Sequence, residues 1–122
     1  MPIILKQISE KPHSEDGYRV LVDRLWPRGL TREEAEVDEW LEEIAPSTGL
    51  RKSLTEGELS WGKFRQAYLL ELRKHSEDLA PLVERAEKER VTLLFSSPDE
   101  RQNNAAGVKQ FLDRRTGQYQ EV

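Results

Sequence analysis

The chain has no cysteine, which removes disulfides, thiolate nucleophiles and thiolate metal sites together. Histidine is nearly as scarce. His13 and His75 fall in an expected loop and at an expected helix end, a poor supply for zinc; an oxygen-ligated Mg²⁺ stays open. No apolar run reaches the roughly 18 residues of a transmembrane helix, and no signal-peptide pattern opens the chain, so the expected location is the cytoplasm. No phosphate-binding glycine loop, dinucleotide glycine pattern or metal-ligand cluster is present, which weighs against ATP-, NAD- and methyl-donor-dependent enzymes; no cofactor is expected. A basic excess is also missing. With 19 Lys and Arg against 23 Asp and Glu the net charge is −4, and a general nucleic-acid binder is disfavoured because such affinity is built on surplus cations.

What remains is polar but foldable. Charged residues make up 34% of the 122 and the hydrophobic set 36%, yet three Trp, three Tyr and three Phe argue against disorder. The length fits one domain with a real core. No repeat, low-complexity segment or interdomain linker divides it. Residues 1–114 read as a single α/β domain and 115–122 as a polar tail, with Tyr119 as its one candidate anchor.

The organising stretch runs from Gly17 to Gly29. Tyr18, Val20 and Val22 point one way and Arg19, Leu21 and Asp23 the other, a β-rich run whose middle is expected to be buried on both sides. Asp23, Arg24, Trp26 and Arg28 then emerge at the strand's carboxyl end, on backbone restrained by Pro27 and Gly29. α/β folds build ligand sites at such strand ends.

The chain in order predicts a first strand at Ile3 to Ile8 and a loop to Asp16. Thr31-Arg32-Glu33-Glu34 fits a capping box, and Val37, Trp40, Leu41 and Ile44 recur at helical spacing, so an interrupted helix is expected from about Arg32 to Ile44. Its acids from Glu33 to Glu43 read as a solvated face. Pro46 breaks it, and Ser47 caps a short helix with Leu50, Arg51 and Leu54. Ser60 caps another, with Trp61, Phe64, Tyr68, Leu69 and Leu72 as its apolar stripe. A further helix is expected at about Leu79 to Glu89, with Pro81 in its first turn. Val91 to Phe95 is a strand. Ser97-Pro98 reads as the start of a last helix with Ala105, Val108, Phe111 and Leu112 buried. The pattern gives a small sheet of three to four mostly parallel strands with helices packed on both faces. If the second and third strong strands are neighbours, Arg24–Gly29 and Ser96–Asn104 form one crevice.

Each candidate in that crevice has a plainer alternative. Arg24 and Arg28 could clamp a phosphate or carboxylate, or form internal salt bridges. Trp26 could offer a stacking face, though a core role is the commoner one. Ser47 and Arg51 could add to an anion site if their short helix points its amino end inward; otherwise they are a cap and a surface residue. Ser47 lacks the elbow motif and adjacent base of a nucleophile. Asn103 and Asn104 sit where asparagine is a poor helix former unless its amide is bonded. Asn103 is expected to read a ligand and Asn104 to brace the loop. Asp99 reads as a first-turn acid. Asp23 is the one candidate general base, although an acid beside arginines is a weak base at neutral pH.

The run from Asp16 to Gly29 resembles the signature of the DUF488 domain, in its small bacterial YeaO-like branch. The resemblance continues at Trp40-Leu41, Ile44-Ala45-Pro46-Ser47, Leu50-Arg51, Phe64, Tyr68, Glu71-Leu72 and Val91 to Leu94, and ends at Asn103-Asn104-Ala105. It covers nearly the whole chain. It implies no activity, because the family is itself of unknown function. Broader relatives carry a Cys-His-Arg triplet after their last core strand; here that neighbourhood reads Gln102-Asn103-Asn104, so sulfur or imidazole chemistry is not expected. The resulting expectation is a small anionic ligand, phosphate- or nucleotide-like, bound in an arginine-rich crevice, with a cofactor-free hydrolase or transferase as the enzymatic version. The alternative is a protein-interaction module using the Arg-Trp-Pro-Arg loop, with RNA binding a weaker third.

Overall fold

Four strands form one parallel sheet in the order β1-β4-β2-β3, in a computed structural model that describes residues 2–117. The elements are β1 (Ile3–Gln7), β2 (Tyr18–Leu21), α1 (Arg32–Ala35), β3 (Glu39–Trp40), α2 (Thr48–Thr55), α3 (Trp61–Lys74), α4 (Ser76–Lys88), β4 (Val91–Phe95) and α5 (Asn104–Thr116). β4 lies between β1 and β2, pairing Ile3 with Val91 on one side and Tyr18 with Val91 on the other. All five of its residues are buried. A central parallel strand is covered on both faces, which is why Val91 to Phe95 reads as one apolar run.

The alternation of side chains assigns each strand residue to one of two cores. Val20, Val22, Val91, Leu93 and Phe95 join Ile3 on the larger side, against Phe64, Tyr68 and Leu72 of α3, Leu79, Leu82 and Ala86 of α4, and Ala105, Val108 and Leu112 of α5. Tyr68 is fully buried and its Oη donates to the Ile44 carbonyl at 2.6 Å. Burial pushes its phenol above the ordinary range. Gly107 of α5 faces that ring so closely that a Cβ there would stand 2.6 Å from Tyr68 Cδ2.

The other face is smaller. Ile8, Leu21, Leu94 and Ala35 pack with Trp26, Leu30, Val37 and Trp40. Arg19 is buried on this side, donating through Nε and Nη2 to the Ala35 carbonyl and through Nη1 to Asp16. Asp16 also takes Lys6 Nζ at 3.0 Å, so a buried guanidinium is paired rather than orphaned.

Three expectations need correction. The helix expected to Ile44 stops at Ala35, where Glu36 takes a left-handed backbone (φ 48°). The chain then pairs with β2: Asp38 N donates to Arg19 O and Leu41 N to Leu21 O, both at 2.9 Å. That edge pairing directs Trp40 to the smaller core and Ile44 to the larger. α4 begins at Ser76, which places Pro81 inside the helix and not in its first turn. The last helix begins at Asn104 rather than at Ser97-Pro98. Asp99 Oδ1 accepts from the amides of Arg101 and Gln102, both at 2.9 Å, and this Asx-type turn competes with helix there. These amides hold the Asp99 carboxyl below its usual range. α5 also runs through residues 115 and 116 of the expected tail, while Tyr119 lies outside the described residues.

Candidate functional site

The carboxyl ends of β2 and β4 are adjacent because the two strands pair in parallel. Asp23 leaves the first and Ser96 the second. Ser96 donates to Asp23 Oδ2 twice, from its amide at 2.7 Å and its hydroxyl at 2.6 Å. Trp40 Nε1 donates to the Asp23 carbonyl at 2.6 Å, tying the edge strand to the same loop. Asn104, opening α5, donates from Nδ2 to Asp23 Oδ1 at 3.1 Å. Its own Oδ1 accepts from Arg51 Nη1 at 2.9 Å. One chain of hydrogen bonds thus links α2, α5, β2 and β4.

These residues line a crevice of about 610 Å³. Its charged groups are Asp23, Arg24, Arg51, Lys52 and Glu56, with Ser96 and Asn104 among its neutral polar ones, while Leu25, Ala45, Pro46 and Pro98 supply apolar wall. Arg24 Nη2 donates to the Pro46 carbonyl at 3.1 Å and to that of Ala45 at 3.4 Å. Both crevice arginines are therefore held by neutral oxygens. Among the described residues neither makes an ion pair within 4.0 Å. Carbonyl and amide oxygens fix where a guanidinium points without neutralising its charge.

Asp23 is differently placed. A carboxylate offers about four lone-pair directions, and protein donors occupy three of them here. It anchors the loops that leave β2 and β4 and the start of α5. Among the described residues no three His, Asp or Glu side chains converge as a metal site would require.

The sequence-derived set divides. Arg24, Arg51 and Asn104 come together at the crevice with Asp23. Trp26, Arg28, Ser47 and Asn103 do not line it. Trp26 packs edge-on against Trp40, centroids 5.6 Å apart, and donates to the Leu30 carbonyl, so its ring belongs to the smaller core. Arg28 is exposed. Ser47 caps α2 and donates to Glu71 Oε2 at 2.6 Å, while its amide donates to Oε1 at 2.8 Å. Glu71 thus stands where an external anion would meet the amino end of α2.

The asparagines are placed the other way round from the expectation. Asn103 is 1% exposed and caps α5, accepting from Ala106 N at 2.9 Å and donating to the Asp99 carbonyl at 3.0 Å. Asn104 is the one that faces the crevice. Sequence reasoning places Ser96 in the crevice only as the start of the segment to Asn104, without a role of its own, and does not point to Lys52 at all. Ser96 directly follows the most apolar strand, and a polar residue at the carboxyl end of a parallel strand is the signal that marks it.

An all-parallel α/β domain with a polar crevice at its strand ends is the class of protein these features define. The chain belongs to the DUF488 family: the family model described as the inactive DUF488-N3 subclade matches residues 2–121. It is similar to the uncharacterized protein YeaO of Escherichia coli strain K12, with 40% identity over 112 residues covering 92% of this chain and 97% of that protein. It is also similar to the uncharacterized protein Rv3073c of Mycobacterium tuberculosis and to Mb3100c of Mycobacterium bovis, each 31% identical over 109 residues, 89% of this chain and 92% of the relative. No solved structure matches the chain.

Proposed function

We propose that this domain binds a small anionic ligand, phosphate- or nucleotide-like, in the crevice between Arg24 and Arg51, and binds it without turnover. The observation that carries the reading is the neutral anchoring of both guanidinium groups on the wall of a 610 Å³ crevice. Their charge is directed but uncompensated, so an incoming oxyanion gains two donors at little cost in ordering. Lys52 lies on the same wall but is paired with Glu56 at 3.9 Å. The Asp23 carboxylate is turned to Ser96 and Asn104, and Glu56 lies on the same wall. Their presence favours a compact anion over an extended polyphosphate. Binding without chemistry accords with the description of the matched subclade as inactive and with the occupied lone pairs of Asp23.

The test is thermal. Ligand at about a hundred times its dissociation constant adds roughly 2.7 kcal/mol of stability, so inorganic phosphate or AMP should raise the melting temperature. Arg51→Ala should abolish that rise, and Arg28→Ala should leave it intact. A second reading rests on Leu25, 77% exposed at the crevice mouth, beside the exposed Arg28. Such a loop suits a protein interface, since arginine is enriched in binding hot spots and an exposed apolar side chain gains by burial. Absence of any anion-induced shift, together with a protein partner that the Leu25→Ala variant no longer binds, would favour it.

A further inference from the structure

A second concavity, about 630 Å³, lies between α3 and α5 and shares no lining residue with the crevice. Arg65, Arg73, Arg114 and Arg115 line it, with Leu69 and Leu70 among them. No Asp or Glu does. The two helices carry one acid each, Glu71 and Asp113, and both are engaged elsewhere. Glu71 holds Ser47, and Asp113 pairs with Lys109 at 2.5 Å. In a chain of net charge −4, this is a concentrated positive surface.

Helix dipoles account for part of it. Arg73 is in the last turn of α3, and Arg114 and Arg115 are in the last turn of α5, where cations are favourable. Arg65 is near the amino end of α3, where the dipole gives a cation no advantage. Leu70 is harder to explain as solvated surface, being 59% exposed. Arg115 lies over the Phe111 ring, 4.6 Å from its centroid, a stacking that limits the freedom lost when the guanidinium binds.

We propose that this groove docks an acidic amphipathic helix of a partner protein. Arg65 and Arg73 are eight positions apart on one helix, about 12 Å at the 1.5 Å helical rise. That spacing matches carboxylates about two turns apart on a docked helix. Leu69 and Leu70 meet the apolar stripe between those carboxylates, in the helix-in-groove mode. Nucleic acid fits less well. Base stacking needs an open aromatic face, whereas Phe111, the single aromatic in the lining among the described residues, is 5% exposed and covered by Arg115.

The probe is a 16-residue helical peptide with leucines at i and i+4 flanked by glutamates, labelled for fluorescence anisotropy at physiological ionic strength. Saturable binding is expected, weakened at least about tenfold, the equivalent of 1.4 kcal/mol, by Arg73→Glu combined with Arg115→Glu. Leu70→Ala should weaken it as well. All three positions border solvent, and an unchanged melting temperature excludes a folding defect. Four results would each overturn the proposal. One is no binding. Another is equal binding of a peptide of the same composition with its leucines scattered, which is charge attraction alone. The third is single-stranded RNA binding more tightly and indifferent to Leu70→Ala. The fourth is a dimer of this chain, seen by light scattering, that the Arg73→Glu variant abolishes.

Discussion

Arg51 and Asn104 are 53 residues apart in the chain and meet at 2.9 Å, guanidinium nitrogen to amide oxygen. The bond ties α2 to the first residue of α5. Because the acceptor is neutral, Arg51 is oriented without its charge being cancelled. The other end of the same amide holds Asp23, so one buried side chain sets both a cation and an anion of the crevice.

Asn104→Ala therefore releases Arg51 and leaves one Asp23 oxygen without its donor. We expect lower affinity for the anion together with a stability loss within the roughly 1–3 kcal/mol cost of an unsatisfied buried group. Asn103→Ala removes the α5 cap and should lower stability by about 1 kcal/mol, leaving affinity unchanged. Unfolding midpoints and anion titrations on the two variants check this; equal effects on affinity would remove the distinction.

Asp16 carries a pH dependence. Burial alone would raise its pKa, but the His13 amide, Lys6 and Arg19 outweigh burial and hold it below the ordinary value of 3.8. A depressed carboxyl contributes stability above its unfolded pKa and loses it as pH falls through the folded one. This contribution should therefore be intact at neutral pH and disappear below about pH 3.8. Asp16→Asn should remove that acid-side dependence. It should also cost about 3–5 kcal/mol at neutral pH, since it strands the buried Arg19. Urea melts across pH, wild type against variant, measure both.

Gly107→Ala should destabilise although alanine is the better helix former. Its Cβ would stand 2.6 Å from the Tyr68 ring, and overpacking of a filled core costs about 1–3 kcal/mol. Tyr68 cannot swing away without giving up its bond to the Ile44 carbonyl. A melting temperature unchanged by Gly107→Ala would show that the core between α3 and α5 yields more readily than this packing implies.

Gly17→Ala should be at least as damaging. Gly17 has φ of 68°, and a Cβ would fall 2.2 Å from the Arg90 carbonyl oxygen. That carbonyl accepts the Tyr18 amide at 2.9 Å, so relief of the clash would disturb the pairing of β2 with β4. Circular dichroism melts of the purified variant provide the measurement.

The sheet is legible in the sequence because its central strands are buried on both faces and so carry continuous apolar runs, as Val91 to Phe95 does. α3 is legible from the spacing of Phe64, Tyr68 and Leu72. β3 is not. Its two residues carry Trp40 within a stretch that also satisfies helical spacing, and backbone bonds to Arg19 and Leu21 decide between the two. The start of α5 is obscured by a local contest between Pro98 with a serine before it and the Asp99 side chain, which bonds the next amides instead. At the crevice, the strand-end position of Asp23 and Arg24 can be read from sequence. The pairing of Arg51 with Asn104 cannot, since it depends on how α2 and α5 pack.

The strand order has a consequence for synthesis. β1 and β2 emerge first from the ribosome, yet neither pairs with the other; β1 has no partner until β4 is made, and β2 has only the two-residue β3. Until residue 95 is available, both present unpaired backbone edges, and the apolar face of α3 lacks its sheet. A nascent chain of this protein thus gains little cooperative structure from its first two strands. The last strand made converts separate segments into one folded unit, and a product truncated before Val91 would emerge as a sticky chain with β1 unpaired and β2 open on one edge rather than as a smaller domain.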